Sequence, residues 1–245
     1  MTEHEDAAAW VPSSRELADL ESAAQECRGC ELWRPATQVV FSSGDRSACV
    51  LLVGEQPGDQ EDRQGEPFVG PAGRVLDEAL ADAGIDRSAA YLTNAVKHFR
   101  FEQRGKRRIH QKPDVRHLTA CRPWLEAEME AVSPDVVVAL GATAARAVLA
   151  RTVRIGEVRG RLLDEPDRPV VVTTHPSAVL RLRGREGYAE AYAELVADRR
   201  LAAPYARADA SAPVLQPPLR RGWHPCGCDR VQAPRAGRRR RPRRA

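Results

Sequence analysis

A three-layer α/β/α sandwich with a four-stranded, mainly parallel central sheet is the fold that this sequence predicts, on three observations. Four short apolar runs rich in β-branched residues, Cys49–Val53, Tyr91–Val96, Val136–Leu140 and Val170–Thr174, read as buried strands. Helical patterns separate most of them, at Arg74–Ala83, Val115–Val132 and Ala142–Leu149, and such alternation marks a parallel sheet covered on both faces. The first strand empties into GEQPGDQEDRQGEPFVGPAG, Gly54 to Gly73, a loop rich in acids, glycine and proline. That loop is too long and too costly to order to be a plain connector.

Taken in order, residues 1–12 read as a flexible leader. Ser13 or Ser14 caps a helix through about Glu26, with Leu17 and Leu20 on its apolar side. CRGCELWRPATQVVFSSGDRSA is loop with a short strand, and the first buried strand follows, Cys49 serving in it as a small hydrophobe. After the last strand, REGYAEAYAELVADRRLAA reads as a closing helix, so residues 13–205 form one domain. From about Ala206 the chain turns Pro/Arg-rich and loses periodicity, and residues 206–245 read as a disordered basic tail.

The formal charge of +4 conceals an asymmetry. The tail holds eleven Arg against Asp209 and Asp229, a balance of +9, which leaves the first 205 residues at −5. Nucleic-acid affinity in the folded part therefore rests on local basic patches. The chain has no apolar run of about eighteen residues, the length a transmembrane helix needs. Its acidic start, MTEHEDAAAW, lacks the basic and apolar regions of a signal peptide. The expectation is a cytoplasmic monomer with no membrane partner. Six cysteines in such a chain do not suggest a disulfide scaffold, and Cys27 and Cys30 have the C-x-x-C spacing of metal or redox sites.

The four strands lead into Gly54-Glu55-Gln56, Asn94, Gly141 and His175-Pro176-Ser177. In a parallel sheet these ends share the edge at which open α/β sheets bind ligands. Alone, an Asn or His at a strand end is more often a turn or cap residue. An acid, a carboxamide, a glycine and a histidine converging on one crevice point to an active site.

Glu55-Gln56-Pro57-Gly58, PFVGPAG, TNAVK and HPS, met in order between Glu21 and Ala203, resemble the motifs of the iron–sulfur uracil-DNA glycosylases. The GEQPG form and the segment Lys106-Arg107-Arg108-Ile109-His110 resemble most closely the branch called UdgX. The resemblance implies a pocket for an extruded base, which chemistry on a base in duplex DNA requires. Phe68 would stack on uracil, and Asn94 would read its Watson–Crick edge with the donor and acceptor of a carboxamide. Glu61 would crowd the C5 edge and disfavour thymine, with Asp59 beside it in the substrate-facing loop. Without the family, Phe68 reads as a core aromatic and Glu61 as a solvated acid. His175, as the HPS histidine, would be a fixed donor to the charge gathering on the departing base's O2. Glu55 and Gln56 would face the sugar of an oxocarbenium-like transition state.

KRRIH by itself reads as a basic loop on phosphates, with His110 incidental. By resemblance to UdgX, His110 attacks C1′ of the deoxyribose after uracil leaves, with Glu55 orienting it or accepting its proton. A protein–DNA bond then replaces a free abasic site. The 102–105 loop before it is shorter than in relatives, which bears on its reach. Lys106, Arg107, Arg108, Ser177 and Arg181 are the implied DNA contacts.

Cys27, Cys30, His98 and Cys121 are, by the same resemblance, the ligands of a [4Fe–4S] cluster, His98 standing where the family usually has its third Cys. Histidine replaces cysteine on iron in Rieske centres, but three Cys and one His suit tetrahedral zinc equally. Cys226 and Cys228 in the tail read as incidental. The expectation is a glycosylase that excises uracil from DNA, single-stranded DNA included, and ends linked to it through His110. The alternatives are a conventional turnover iron–sulfur uracil-DNA glycosylase and a non-catalytic uracil-DNA or single-strand binder.

Overall fold

Each of the four apolar runs forms a strand, as short continuous β-branched segments do when both faces of a sheet are covered. The computed structural model describes residues 6–206. Along them the strands are β1 (Ser42–Ser43), β2 (Val50–Gly54), β3 (Ala90–Asn94), β4 (Phe101–Arg104), β5 (Arg107–His110), β6 (Val136–Leu140), β7 (Leu162–Leu163) and β8 (Val170–Thr173). The helices are α1 (Leu17–Ala24), α2 (Asp59–Gln64), α3 (Pro71–Ala83), α4 (Val115–Val132), α5 (Ala142–Leu149), α6 (Ile155–Val158), α7 (Pro176–Leu180) and α8 (Tyr188–Arg200).

The main sheet has six strands in the order β1-β3-β2-β6-β8-β7, not the expected four. The four expected strands are its parallel centre. The two-residue strands β1 and β7 add an antiparallel edge on either side. Segments of two residues are too short to show the alternation by which a strand is read from sequence.

Alternation along the central strands divides the core in two. Leu51, Val53, Tyr91, Val137, Ala139 and Val172 pack with α1, α4 and α5 on one face. Val50, Leu52, Leu92, Val136, Val138 and Leu140 pack with α3, α7 and α8 on the other. The three layers follow from that division. No helix of the described residues is long and apolar enough to cross a membrane.

Ala7 lies within the segment expected as a flexible leader, yet it is 1 % exposed and its N–H donates to Ala120 O on α4 at 2.8 Å. From Ala7 the leader is thus packed on the domain. Its first five residues and residues 207–245, with Cys226 and Cys228, lie outside the described residues.

Candidate active site

β2 and β3 end in register, Gly54 opposite Asn94, and β6 and β8 run parallel to them. Their carboxyl ends therefore share one edge, where a cavity of about 270 Å³ opens. Gln56, Asp59 and Glu61 line it from the segment after β2, and Phe68 from the loop before α3. Asn94 lines it from the end of β3, His110 from the end of β5, and His175 and Ser177 from the start of α7. Of the four strand-end residues expected to converge, Asn94 and His175 line this cavity, and Glu55 and Gly141 are not among its lining residues.

KRRIH is not the loop that was expected. Arg107–His110 is β5, paired antiparallel with β4 from Phe101↔His110 to Arg104↔Arg107. The 102–105 loop is most of β4 plus Gly105, which takes a left-handed φ of 58° in the turn. Strand alternation then sends Arg108 and His110 to the same side.

Backbone geometry shapes the cavity wall. A Cβ at Gly54 would fall 2.2 Å from Asn94 Oδ1 and 2.8 Å from Phe68 Cζ, so only glycine lets both side chains approach the strand end. Phe68 holds φ 61°, a left-handed conformation uncommon for an aromatic residue. Its carbonyl oxygen would lie 1.4 Å from a Cβ at Gly73. The PFVGPAG motif therefore tucks a carbonyl under α3 and turns the ring into the cavity, 6.5 Å from the His175 ring centroid and inclined to it by 28°. Glu61 is not a freely solvated acid. Its Oε2 accepts the Gly58 N–H at 3.1 Å and its Oε1 the Gly70 N–H at 3.2 Å, which ties the two arms of the loop together.

His175 Nδ1 accepts the Ser177 N–H at 3.1 Å and lies 2.8 Å from Ser177 Oγ. With Nδ1 as acceptor, the neutral ring carries its proton on Nε2. Burial, and after it the positive charge of Arg199, push its pKa down to about 4. The ring is thus a neutral donor at physiological pH.

Glu55 is held by Thr143, whose Oγ1 donates to Oε2. Its Oε1 stands 3.6 Å from His110 Nε2, beyond hydrogen-bond reach. Gln56 Oε1 accepts the Arg100 N–H at 3.1 Å, and its Nε2 donates to the carbonyls of Arg100 and Gln111 at 3.1 and 3.0 Å. The same Nε2 lies 2.9 Å from His110 Nε2. Gln56, expected to face the sugar, lines the cavity and is fastened to the hairpin that carries His110. His110 itself is half exposed.

Of the implied DNA contacts, Lys106 and Arg107 are exposed at the hairpin turn and Arg181 is exposed after α7. Arg108 is not available. Its side chain is 10 % exposed and pairs with Asp59, with Asp62 Oδ2 at 2.5 Å and with Thr37 Oγ1 at 3.1 Å. The Arg108 guanidinium, expected on phosphate, is thus paired within the protein, while Asp59 pairs with it and still lines the cavity. Arg63 and Arg108 together hold the Asp59 carboxyl below its usual range. Thr143 and the fully buried Asp62 escaped the sequence reading, because neither lies at a strand end and each acts through a partner distant in sequence.

Among the described residues, no three or more His, Cys, Asp or Glu side chains come together as a group that could hold a metal ion. The chemistry of the expected ligands nonetheless suits a thiolate-bound metal. Cys27, Cys121 and His98 are buried, and the Cys30 and Cys121 thiols each feel the charge of the other cysteines. Burial pushes Cys30 up to about 11 and Cys121 to about 12, so both are neutral thiols until a cation displaces their protons. Trp124 Nε1–H donates to Cys27 Sγ and Lys97 N–H to Cys121 Sγ, both at 3.3 Å, the outer-shell bonds that tune sulfur ligands.

Residues 41–196 match the family model described as the uracil DNA glycosylase superfamily. A type-4 uracil-DNA glycosylase of Thermotoga maritima is 37% identical over 174 residues, 70% of this chain and 87% of that protein. A type-4 uracil-DNA glycosylase of Archaeoglobus fulgidus is 34% identical over 182 residues, again 70% and 87%. These relatives carry the superfamily and not the UdgX branch. With the cavity residues inside the matched stretch, this chain belongs to the uracil-DNA glycosylase superfamily.

Proposed function

We propose that this chain is a uracil-DNA glycosylase that hydrolyses the N-glycosidic bond of deoxyuridine in DNA and turns over, the activity named for its type-4 relatives. The observation that carries this reading is one cavity faced by Phe68, Asn94, Glu61 and His175. An extruded uracil enters it. Phe68 covers the face of the base, the Asn94 carboxamide pairs with its O4 and N3–H, and Glu61 with its glycine clamps walls the C5 side. As the N1–C1′ bond breaks, its electron pair leaves with uracil and charge collects on O2, where the Nε2–H of neutral His175 donates. The Glu55 carboxylate, held by Thr143, faces the positive charge developing on the sugar. Water adds to C1′, its proton passes to the uracil anion, and an abasic site is left.

Cys27, Cys30, His98 and Cys121 would hold a [4Fe–4S] cluster, which when bound cross-links the loop after α1, the segment after β3 and helix α4. Iron and acid-labile sulfide in the purified protein are the expected result, and zinc without iron overturns it.

Incubated with a uracil-containing single-stranded oligonucleotide, the protein is expected to release many equivalents of free uracil and to leave alkali-labile sites. Asn94→Ala should abolish release without loss of the fold. Binding without uracil release by the unaltered protein would replace the enzyme reading with that of a non-catalytic binder.

A second reading has its own observation, the half-exposed His110 in the same cavity with Nε2 3.6 Å from Glu55 Oε1. In it the imidazole nitrogen, rather than water, forms the new bond to C1′, and the proton it sheds goes to the uracil anion. A heat- and SDS-stable protein–DNA band on a denaturing gel identifies that outcome. Multiple turnover without such a band excludes it.

A further inference from the structure

A second, smaller cavity of about 130 Å³ lies beside the segment that follows His110. Thr143 belongs to its lining, and the same Thr143 hydroxyl holds Glu55. Its apolar floor includes Pro113, Val115 and Val153, with Val115 48 % exposed although it opens a helix. Two cations, Lys112 and Arg146, stand on its rim.

Neither Lys112 nor Arg146 has a side-chain hydrogen bond or ion pair among the described residues. Their cationic neighbours are neutralised: Arg100 pairs with Asp114 at 2.7 Å, Arg116 with Glu31 at 2.6 Å, and Arg108 with Asp59 and Asp62. The Lys112 backbone is braced, its carbonyl accepting from Arg100 Nη1 at 2.6 Å, while its ammonium is left free. Lys112 also follows His110 by two residues, so the rim begins where the sugar-facing wall ends. Uncompensated positive charge over an exposed apolar floor complements a phosphodiester bearing a base.

We propose that this cavity is a subsite for the nucleotide flanking the uracil on one side, with Lys112 and Arg146 on its phosphate and Val115 and Val153 against its base or sugar. The proposal rests on the glycosylase reading for the identity of the central nucleotide. Thr143 lines this cavity and holds Glu55, so occupancy here orients the deoxyribose against Glu55. Neither cation was among the DNA contacts implied by family resemblance.

The test uses the full chain and a series of single-stranded oligonucleotides in which one deoxyuridine is extended by one nucleotide at a time on either side. Affinity by fluorescence anisotropy and kcat/KM for uracil release are both read. In the unaltered protein the first nucleotide added on one side should raise affinity by about tenfold, the effect of two cations on one added phosphate. Lys112→Ala with Arg146→Ala should lose that increment and lower the log–log salt slope by about 0.7, the share of one phosphate. Lys112→Arg with Arg146→Lys should retain it, and the shortest substrate should bind both double variants as it binds the unaltered protein. An increment that survives in the Ala double variant overturns the subsite. If no uracil is released at any length, the glycosylase reading fails separately, and the binding series still decides the subsite by the same increment.

Discussion

In the proposed reaction, the proton of His175 decides what the base is offered. Ser177 donates to Nδ1, so Nε2 holds the proton, and the folded pKa of about 4 lies below the ordinary histidine value of about 6.5. Between those values the native state binds fewer protons than the unfolded chain, so His175 lowers stability as the pH falls through that window and adds no pH dependence above it. Uracil release should therefore show no acid limb from His175 until the pH nears 4. Urea denaturation at several pH values should show part of the stability loss between pH 6.5 and 4 disappear in His175→Gln. His175→Ala removes an anion-stabilising donor and should lower kcat by about 10²–10³. Gly54 is the other decisive single position, because any Cβ there meets Asn94 and Phe68. Gly54→Ala is expected to cost about 1–3 kcal/mol in overpacking and to abolish excision, measured by thermal melting and a uracil-release assay.

The β4–β5 hairpin is the element on which His110 depends, and two clamps hold it. Gln56 binds the backbone at its base, at Arg100 and Gln111, while Arg108 pins its inner face to α2 through Asp59 and Asp62. Removing Arg108 leaves the fully buried Asp62 without its cation, a loss of about 3–5 kcal/mol for a broken buried pair. Arg108→Ala should thus destabilise the protein by that order and release the hairpin, and Arg108→Lys should not restore both contacts, since an ammonium lacks the guanidinium fork. Denaturant titration checks both. Exposed Lys106 and Arg107 should behave in the opposite way. Their Ala variants should change stability by less than about 0.5 kcal/mol while weakening DNA binding and flattening its salt dependence.

Across the whole molecule, a buried network joins the sheet to the α4 layer beneath the active edge. Lys97 Nζ donates to Glu128 and to Thr93, and Glu128 Oε1 also accepts from Thr93 Oγ1 at 2.8 Å and Tyr91 Oη at 3.1 Å. Both charged side chains are essentially unexposed. Lys97→Met should cost about 3–5 kcal/mol by stranding Glu128, and the Lys97→Met, Glu128→Leu pair should recover most of it. Thermal melting of the two variants separates the worth of the pair from the penalty of breaking it.

Much of this arrangement is legible without a structure, and the divisions are physical. The four central strands and the meeting of Glu55, Asn94 and His175 at one edge follow from local hydrophobic runs and from the rule that parallel strands end together. Of the sheet's outer strands, β1 is legible only as a short strand somewhere before Cys49 and β7 not at all, because two residues form a strand only when a neighbouring edge is there to pair with. KRRIH reads as a uniformly basic segment until its hairpin assigns alternate residues to opposite faces, which sends Arg107 outward and Arg108 into a carboxylate pair. Gln56 shows no partner within the chain until the hairpin backbone takes its amide at the cavity wall. The sequence by itself therefore determined the central sheet and the edge where the cavity forms, since these depend on short-range pattern, while Phe68, Glu61 and His110 stand out only through family resemblance. Only the tertiary structure decided which charges are free to meet DNA and which are consumed in holding His110 in place, because that depends on partners tens of residues away.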